Sequence, residues 1–577
     1  MHSLVKPNSW VALRLPSDSM RVLQVVPNTT ISLGKYGSFS ANLILSRPYN
    51  LTYELLDRAP GAKDSDIRIV PASEIHADTI AEEQAAANPS QNGEAIIGGD
   101  GVEFQLVGEN GEVVMRSNRE IIDDSARQTL TMEEIEELKR EGTGAGKDLI
   151  AKLMLSHTGI EQKTAFSLAK YKLLKTKKYL RRFTVLPVDV PLLTNWLREE
   201  KDATKTLELR DEMLALIGSW SNVHFASDPE GTPGTGGGRW LVVDETGGLL
   251  IAAMAEKMGI LYPEDDYSSN PDSSVEAETE DPSKDPQPLE PNFATSNTIT
   301  LVHTNAQPNL SLLTYFNYTP NAPPPHNSHK HPLATHLLPL SWLQLISPSQ
   351  DTTYACPPAP CTPAEIAAMK SGKRGTYFHK LRRHTRIKHI VDSTLAGGFD
   401  GLAVASSMDP ASILKHMIPL LRGGAPIAIY SPTIEPLVQL ADYYSTSRRT
   451  AFVQRPPAEL EGLSQDEIAK WLGNEDFPLN PTLVLGASVQ SARVRPWQVL
   501  PGRTHPMMTG RGGAEGYLWT GVRVVPAEGR VEARGKFTRK KTEAGNKAEK
   551  GDVIKGGNTE GGTEAVVDTG DTEMVVL

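Results

Sequence analysis

The feature that most constrains this chain is a strand that runs into a glycine turn and then a helix, with further strands and helices alternating after it. RWLVVDETGGLLIAAMAEKMG (239–259) has that form. TITLVHTN (298–305) and FDGLAVASS (399–407) are the next strands, followed by a helix over PASILKHMIPLL and a strand over GAPIAIYSP. This alternation predicts a doubly wound α/β sheet. RVRPWQVL (493–500) and GYLWTGVRVV (516–525) are expected to add an antiparallel pair at the sheet edge.

The N-terminal part has a different pattern. Residues 4–57 alternate apolar and polar positions in short runs separated by turn residues, which predicts a small antiparallel β unit. A β domain is therefore expected over 1–125, with a flexible insert at 60–100. Thr131 and Glu134 have capping-box spacing and open a helical stretch to about residue 182. Residues 126–208 are read as a helical, basic linker and 209–527 as the α/β domain. Disordered inserts are expected at 263–296 and about 350–372, and a disordered tail over 528–577.

At 577 residues the chain is too long for one core, and at least two folded units are expected. No apolar run of membrane-spanning length occurs, and MHSLVKPNSW lacks the apolar region of a secretory signal, so the cytosol or nucleus is expected. Cys356 and Cys361 are read as free thiols in a proline-rich loop. Two cysteines alone cannot form a structural zinc site, and no metal is expected.

α/β folds bind nucleotides where the first strand meets its glycine turn, because backbone amides at the helix start face the ligand there. Here the turn runs through Asp244, Glu245, Thr246, Gly247 and Gly248, without G-x-G spacing, and Leu249 and Leu250 follow it. The next strand should end in an acid that grips a ribose; it ends in His303, Thr304 and Asn305. FDGLAVASSMDP offers Ser406, Ser407 and Asp409, the last placed to cap the following helix. GTGAGKD (142–148) is no phosphate loop, since Glu141 and Asp148 hold the positions that need Gly and Ser or Thr.

The net charge of −11 gives no nucleic-acid signal for the whole molecule, yet two runs are strongly basic and acid-free. Residues 163–182 include Lys170, Lys172, Lys175, Lys177, Lys178, Arg181 and Arg182. Residues 370–390 include Lys373, Arg374, Lys380, Arg382, Arg383 and Arg386. Phosphate binding is the reading favoured for both; a solvated face or an acidic partner is the alternative. A weaker candidate is the loop 502–516, with Arg503, His505 and Arg511.

KPNSWVALRLPS, NREIIDDSARQTLTMEEIEELKREG, KYKLLKTKKYLRRFTV, QPNLSLLTYFNY, FDGLAVASSMDP and LPGRTHPMMTGRGG together resemble the non-catalytic subunit of the eukaryotic tRNA (adenine-58-N1)-methyltransferase. The resemblance covers most of the chain outside the inserts. It implies a degenerate Rossmann-like methyltransferase domain. The catalytic paralogue's E-x-G-T-G-S-G-type cofactor loop matches Asp244 to Gly248, and its catalytic aspartate falls on Ser406. It further implies that S-adenosylmethionine binds in a catalytic partner subunit, with a two-plus-two heterotetramer, tRNA as a binding partner and nuclear placement. Two other readings remain: an active S-adenosylmethionine-dependent RNA methyltransferase, which would bind cofactor unaided, and a stand-alone RNA-binding protein, which would be a soluble monomer.

Overall fold

The computed structural model describes residues 4–59, 61, 63–75, 95–97, 105–107, 113–115, 129–141, 146–157, 165–226, 237–262, 297–320, 331–495, 497–500, 503–507 and 515–525. The expected insert at 263–296, the tail over 528–577 and most of 60–100 lie outside the described residues.

Ten strands come from the N-terminal part: β1 (Trp10–Arg14), β2 (Met20–Gln24), β3 (Thr30–Ser32), β4 (Ser38–Ser40), β5 (Thr52–Leu55), β6 (Ile67–Ile69), β7 (Ala95–Ile97), β8 (Gln105–Val107), β9 (Val113–Met115) and β10 (Arg182–Pro187). Five of them form an antiparallel sheet in the order β2-β1-β10-β5-β6. Two expectations are corrected here. The stretch read as a helical linker supplies β10, which lies at the centre of this sheet. Its alternation turns Phe183 and Val185 into the core, where Phe183 stacks on Phe39 and Tyr53 at centroid distances of 4.6 and 5.4 Å. The region read as a flexible insert supplies the edge strand β6 and, further on, β7. The helices Met132–Glu141, Lys147–Leu155 and Ala165–Tyr179 lie between β9 and β10, and Ile135, Leu149 and Leu153 form a small core among them.

The second half contributes β11 (Arg239–Asp244), β12 (Thr298–His303), β13 (Leu337–Ser341), β14 (Gly401–Ala405), β15 (Pro426–Ser431), β16 (Val484–Gln490), β17 (Trp497–Leu500), β18 (Arg503–Pro506) and β19 (Tyr517–Arg523). Seven of these form one sheet in the order β13-β12-β11-β14-β15-β19-β16. The pairs from β13 to β15 are parallel, whereas β19 is antiparallel to both β15 and β16. Alternate residues feed two cores: Trp240, Val242, Ala403 and Ala428 on one face, Leu241, Val243, Val404 and Ile429 on the other. Burial on both faces explains why these strands read as continuous apolar runs. The first core also takes in Ala12 and Val188 from the N-terminal part and Leu193 and Trp196 from the helix Val190–Glu200, so the two sheets share packing.

The expected pairing of 493–500 with 516–525 is corrected. β19 pairs with β15 and β16, and 497–500 folds back on β18 as a separate hairpin. The expected disorder at about 350–372 is corrected as well. Asp351 caps a short helix, Thr352–Ala355, and a Thr362–Glu365 capping box with Pro363 at the first position starts another, Pro363–Ala368. The Tyr377 hydroxyl accepts from the Cys361 amide at 3.3 Å, and Tyr354 donates to Asp392 at 2.8 Å. Proline-rich composition suggested a loop, but local caps and tyrosine contacts order it. Cys356 and Cys361 are free thiols. Among the described residues, no helix is long and apolar enough to cross a membrane.

Candidate functional site

The strand order reverses between β11 and β14, so the crevice beyond their carboxyl ends is where a doubly wound sheet places its ligand. β11 ends at Asp244, whose buried side chain folds back under the helix Leu249–Met258. One carboxylate oxygen accepts from the Thr246 amide at 2.7 Å and the Thr246 hydroxyl at 2.6 Å; the other accepts from the Ile251 amide at 3.1 Å. The Thr246 hydroxyl in turn accepts from the Leu250 amide at 3.2 Å. Burial pushes the Asp244 carboxyl above the usual range, and these donors oppose that shift. The Leu250 and Ile251 amides at this helix start are thus already engaged by the chain itself.

The open side of the turn is covered too. Gly247 and Gly248 sit at φ of 78° and 96°, a left-handed region that favours glycine. A 3-10 helix, Ser311–Phe316, lies directly against them. The Leu312 amide donates to the Gly247 carbonyl at 3.0 Å, and a Cβ on Gly248 would lie 3.2 Å from Leu313 Cγ and 3.4 Å from Leu310 Cα. Leu310 and Leu313 are buried in the same core as Leu249 and Leu250. His331 pins the far end of this cover: its Nε2 donates to the Phe316 carbonyl at 3.1 Å, and its Nδ1 accepts from the Leu333 amide at 3.2 Å. Burial lowers the His331 pKa to about 4, which keeps the ring neutral in that tautomer. Sequence reasoning missed this cover. Its signal was the apolar run in PNLSLLTYF, where a polar loop would normally follow the strand.

The neighbouring strand ends are equally self-contained. Ser406 is 7% exposed, and its hydroxyl accepts from the Met408 amide at 3.0 Å. Glu245 accepts from the amide and hydroxyl of Ser407 at 2.8 and 2.7 Å. Asp409 caps the next helix by accepting from the Ser412 amide at 2.9 Å, as its position before Pro410 suggested. The half-buried ring of His303 is bonded to the Asn305 carbonyl at 2.7 Å, and burial lowers its pKa. Among the described residues no group of three His, Cys, Asp or Glu side chains could hold a metal ion. The fold implies S-adenosylmethionine at this turn. The residues present do not fit it, because Leu310, Leu312 and Leu313 lie on the glycines, the Leu250 and Ile251 amides are engaged and no acid ends β12.

The two basic runs separate in the structure. Much of the first serves the fold. Arg182 lies on β10 with its side chain 14% exposed, bonded to Glu54 at 3.0 Å and to Glu74 at 2.7 Å. Arg181 pairs with Asp57 and Lys177 with Asp18. Lys175 and Lys178 lie over the rings of Tyr171 and Tyr179, and Lys172 has a partner within the chain. The helix carrying these lysines lies against β17, which brings the first run beside the 497–506 hairpin. The side chains of Lys170 and Arg503 lie outside the described residues. In the second run Arg386 donates to the carbonyls of Ala334 and Leu337 at 3.2 and 3.4 Å. Lys373, Arg374, Lys380, Arg382 and Arg383 are exposed on the helix Ser371–Leu395.

A seven-stranded sheet in this order, with its last strand antiparallel and a glycine turn after its first, defines the chain as a Rossmann-like, methyltransferase-type protein preceded by an antiparallel β unit. The chain belongs to the Gcd10p family, whose profile matches residues 4–370. It is 47% identical over 566 residues to the tRNA (adenine(58)-N(1))-methyltransferase non-catalytic subunit of Aspergillus fumigatus, covering 94% of this chain and 96% of that protein. The Schizosaccharomyces pombe protein described by the same words is 28% identical, with coverage of 93% and 96%, and that of Mus musculus 24%, with 71% and 74%. Among solved structures, a SAM-dependent O-methyltransferase from Thermotoga maritima aligns at a TM-score of 0.37 and 9% identity, covering 91% of this chain and 97% of that one.

Proposed function

We infer that the chain is the non-catalytic subunit of a tRNA (adenine-58-N1)-methyltransferase, working with a catalytic partner subunit on tRNA. The observation that carries this reading is the closed glycine turn, where Leu310, Leu312 and Leu313 lie on Gly247 and Gly248 and Asp244 engages the amides of Thr246 and Ile251. The methyltransferase-type domain is in this sense degenerate: it keeps the sheet and has closed the cofactor site. Ser406 is consistent with that, since a neutral hydroxyl already bonded to Met408 cannot supply the charge with which a carboxylate would orient a target adenine.

What remains for this subunit is binding. The target base must be exposed from a folded tRNA before methylation, and grip on distant parts of the substrate can supply energy for that distortion. S-adenosylmethionine would then sit in the partner, in a two-plus-two heterotetramer acting in the nucleus. The test is tRNA methylation with labelled S-adenosylmethionine by this chain alone, by its catalytic partner alone, and by both co-expressed. The expected result is activity in the mixture that Ser406→Ala leaves unchanged. Methylation by this chain alone would refute the reading.

A further inference from the structure

The helix Ser371–Leu395 is anchored along one half and free along the other. Its inward stripe is Tyr377, Leu381, His384, Ile387, Val391 and Thr394, and only the last six residues of the helix include fully buried members of the sheet's core, Ile390 and Val391. From Ser371 to Lys380 every residue except Tyr377 is exposed. This free half carries Lys373, Arg374 and Lys380, and Arg382, Arg383 and Lys388 follow; none of them forms an ion pair among the described residues.

As an isolated helix, this half is poorly made. Lys370 at the N-cap offers no side-chain hydrogen bond, and the first turn holds no acid. Cations there oppose the helix dipole. Gly372 and Gly375 face open space, so no neighbour requires their lack of a side chain. They cost helix stability without a packing reason. Like charges stand three and four apart at Lys380–Arg383, Arg382–Arg386 and Arg383–Arg386. The helix holds one acid, Asp392, which is bonded to Tyr354. The charge repulsion and the unfavourable interaction of the cations with the helix dipole would be relieved by a polyanion laid along the helix. In a chain of net charge −11, that concentration of positive charge marks a surface suited to such a partner.

We propose that the exposed half of this helix is an RNA-binding arm that takes the phosphate backbone of tRNA and tightens as a helix when it does. The proposal rests on the tRNA-dependent function inferred above. It assigns the RNA contacts to this arm and leaves Lys177, Arg181 and Arg182 of the first run with the fold. Because the arm carries two unneeded glycines, its ordering is coupled to binding, and binding must overcome the entropy of that ordering.

The test uses the full chain co-purified with its catalytic partner and measures affinity for a tRNA transcript across a salt series. Reversing four exposed charges together (Lys373→Glu, Arg374→Glu, Lys380→Glu and Arg383→Glu) should weaken binding at least about tenfold and flatten the salt dependence by about three counterions. Gly372→Ala with Gly375→Ala adds no contact, and it should tighten binding about threefold by preforming the helix. Hydrogen exchange at amides 371–383 should slow with tRNA and much less with polyglutamate. If the complex binds tRNA and the charge reversal changes neither affinity nor salt slope, the arm is refuted while the functional reading stands. If the unaltered complex binds no tRNA, the functional reading falls and the arm with it. Protection by polyglutamate but not by tRNA would make the arm a docking site for an acidic protein and overturn the proposal.

Discussion

Single residues here decide between a ligand site and a packed core. Asp244 stands where a methyltransferase-type fold would turn its amides toward a cofactor, and it spends its carboxylate on Thr246 and Ile251 instead. His331 shows what holds this closed state. Its neutral ring donates through Nε2 and accepts through Nδ1, so protonation would set a second donor against the Leu333 amide. The folded pKa is lowered from 6.5 to about 4, so the folded form binds fewer protons than the unfolded form in that interval. The stabilisation from the neutral ring is complete above pH 6.5 and is lost as pH falls toward 4. Melting temperature should therefore drop between those limits. His331→Gln, with one donor and one acceptor but no titration, should start lower at neutral pH and fall less steeply. An identical slope in both proteins would show that His331 does not hold the cover. The glycine turn was legible in the sequence because it lacks the G-x-G spacing of a cofactor grip, and Ser406 because the family resemblance sets it where the catalytic paralogue has its aspartate. Leu310 and Leu313 were not, because an apolar run after a strand does not say which surface it will cover.

At the scale of elements, the network around Glu54 shows why a charge count along the chain can mislead. Glu54 lies on β5 with its side chain 3% exposed, and Arg182 from β10, Arg68 from β6 and Lys147 from the helix Lys147–Leu155 converge on it. Glu74 receives Arg68, Lys147 and Arg182 from the same group, and Arg68, followed by Lys147, holds its carboxyl at about 2. Removing one partner of a buried charge set leaves the others without compensation. Glu54→Ala should destabilise the fold by about 3 kcal/mol in a denaturant titration, whereas Asp18→Ala, which removes the exposed partner of Lys177, should cost about 0.5 kcal/mol or less. Equal losses would contradict the distinction drawn between the buried network and the exposed pair. The parallel strands β11 to β15 were legible as apolar runs between helix signals. The strand β10 was hidden at the end of a basic run, whose lysines and arginines masked the alternation of Phe183 and Val185. The short helices of 350–372 were hidden because their order comes from caps and from Tyr354 and Tyr377, not from an apolar period.

For the whole molecule, two sheets share a core through Ala12, Val188, Leu193 and Trp196, so the N-terminal β unit and the methyltransferase-type sheet fold as one compact unit over Met1–Pro526. The division of labour proposed for this family member follows from that arrangement. On that proposal the sheet is a frame whose glycine turn lies under Leu310, Leu312 and Leu313, and the basic arm at its surface is the part that would meet a polyanion. Cofactor stoichiometry shows whether the crevice of this chain is closed to S-adenosylmethionine. The measurement is labelled S-adenosylmethionine bound per mole of each chain in the co-purified complex, with photo-crosslinking to show which chain carries the label. Label is expected on the catalytic partner alone, with no saturable binding to this chain by itself. Cofactor bound and crosslinked to this chain near Gly247 and Gly248 would contradict it.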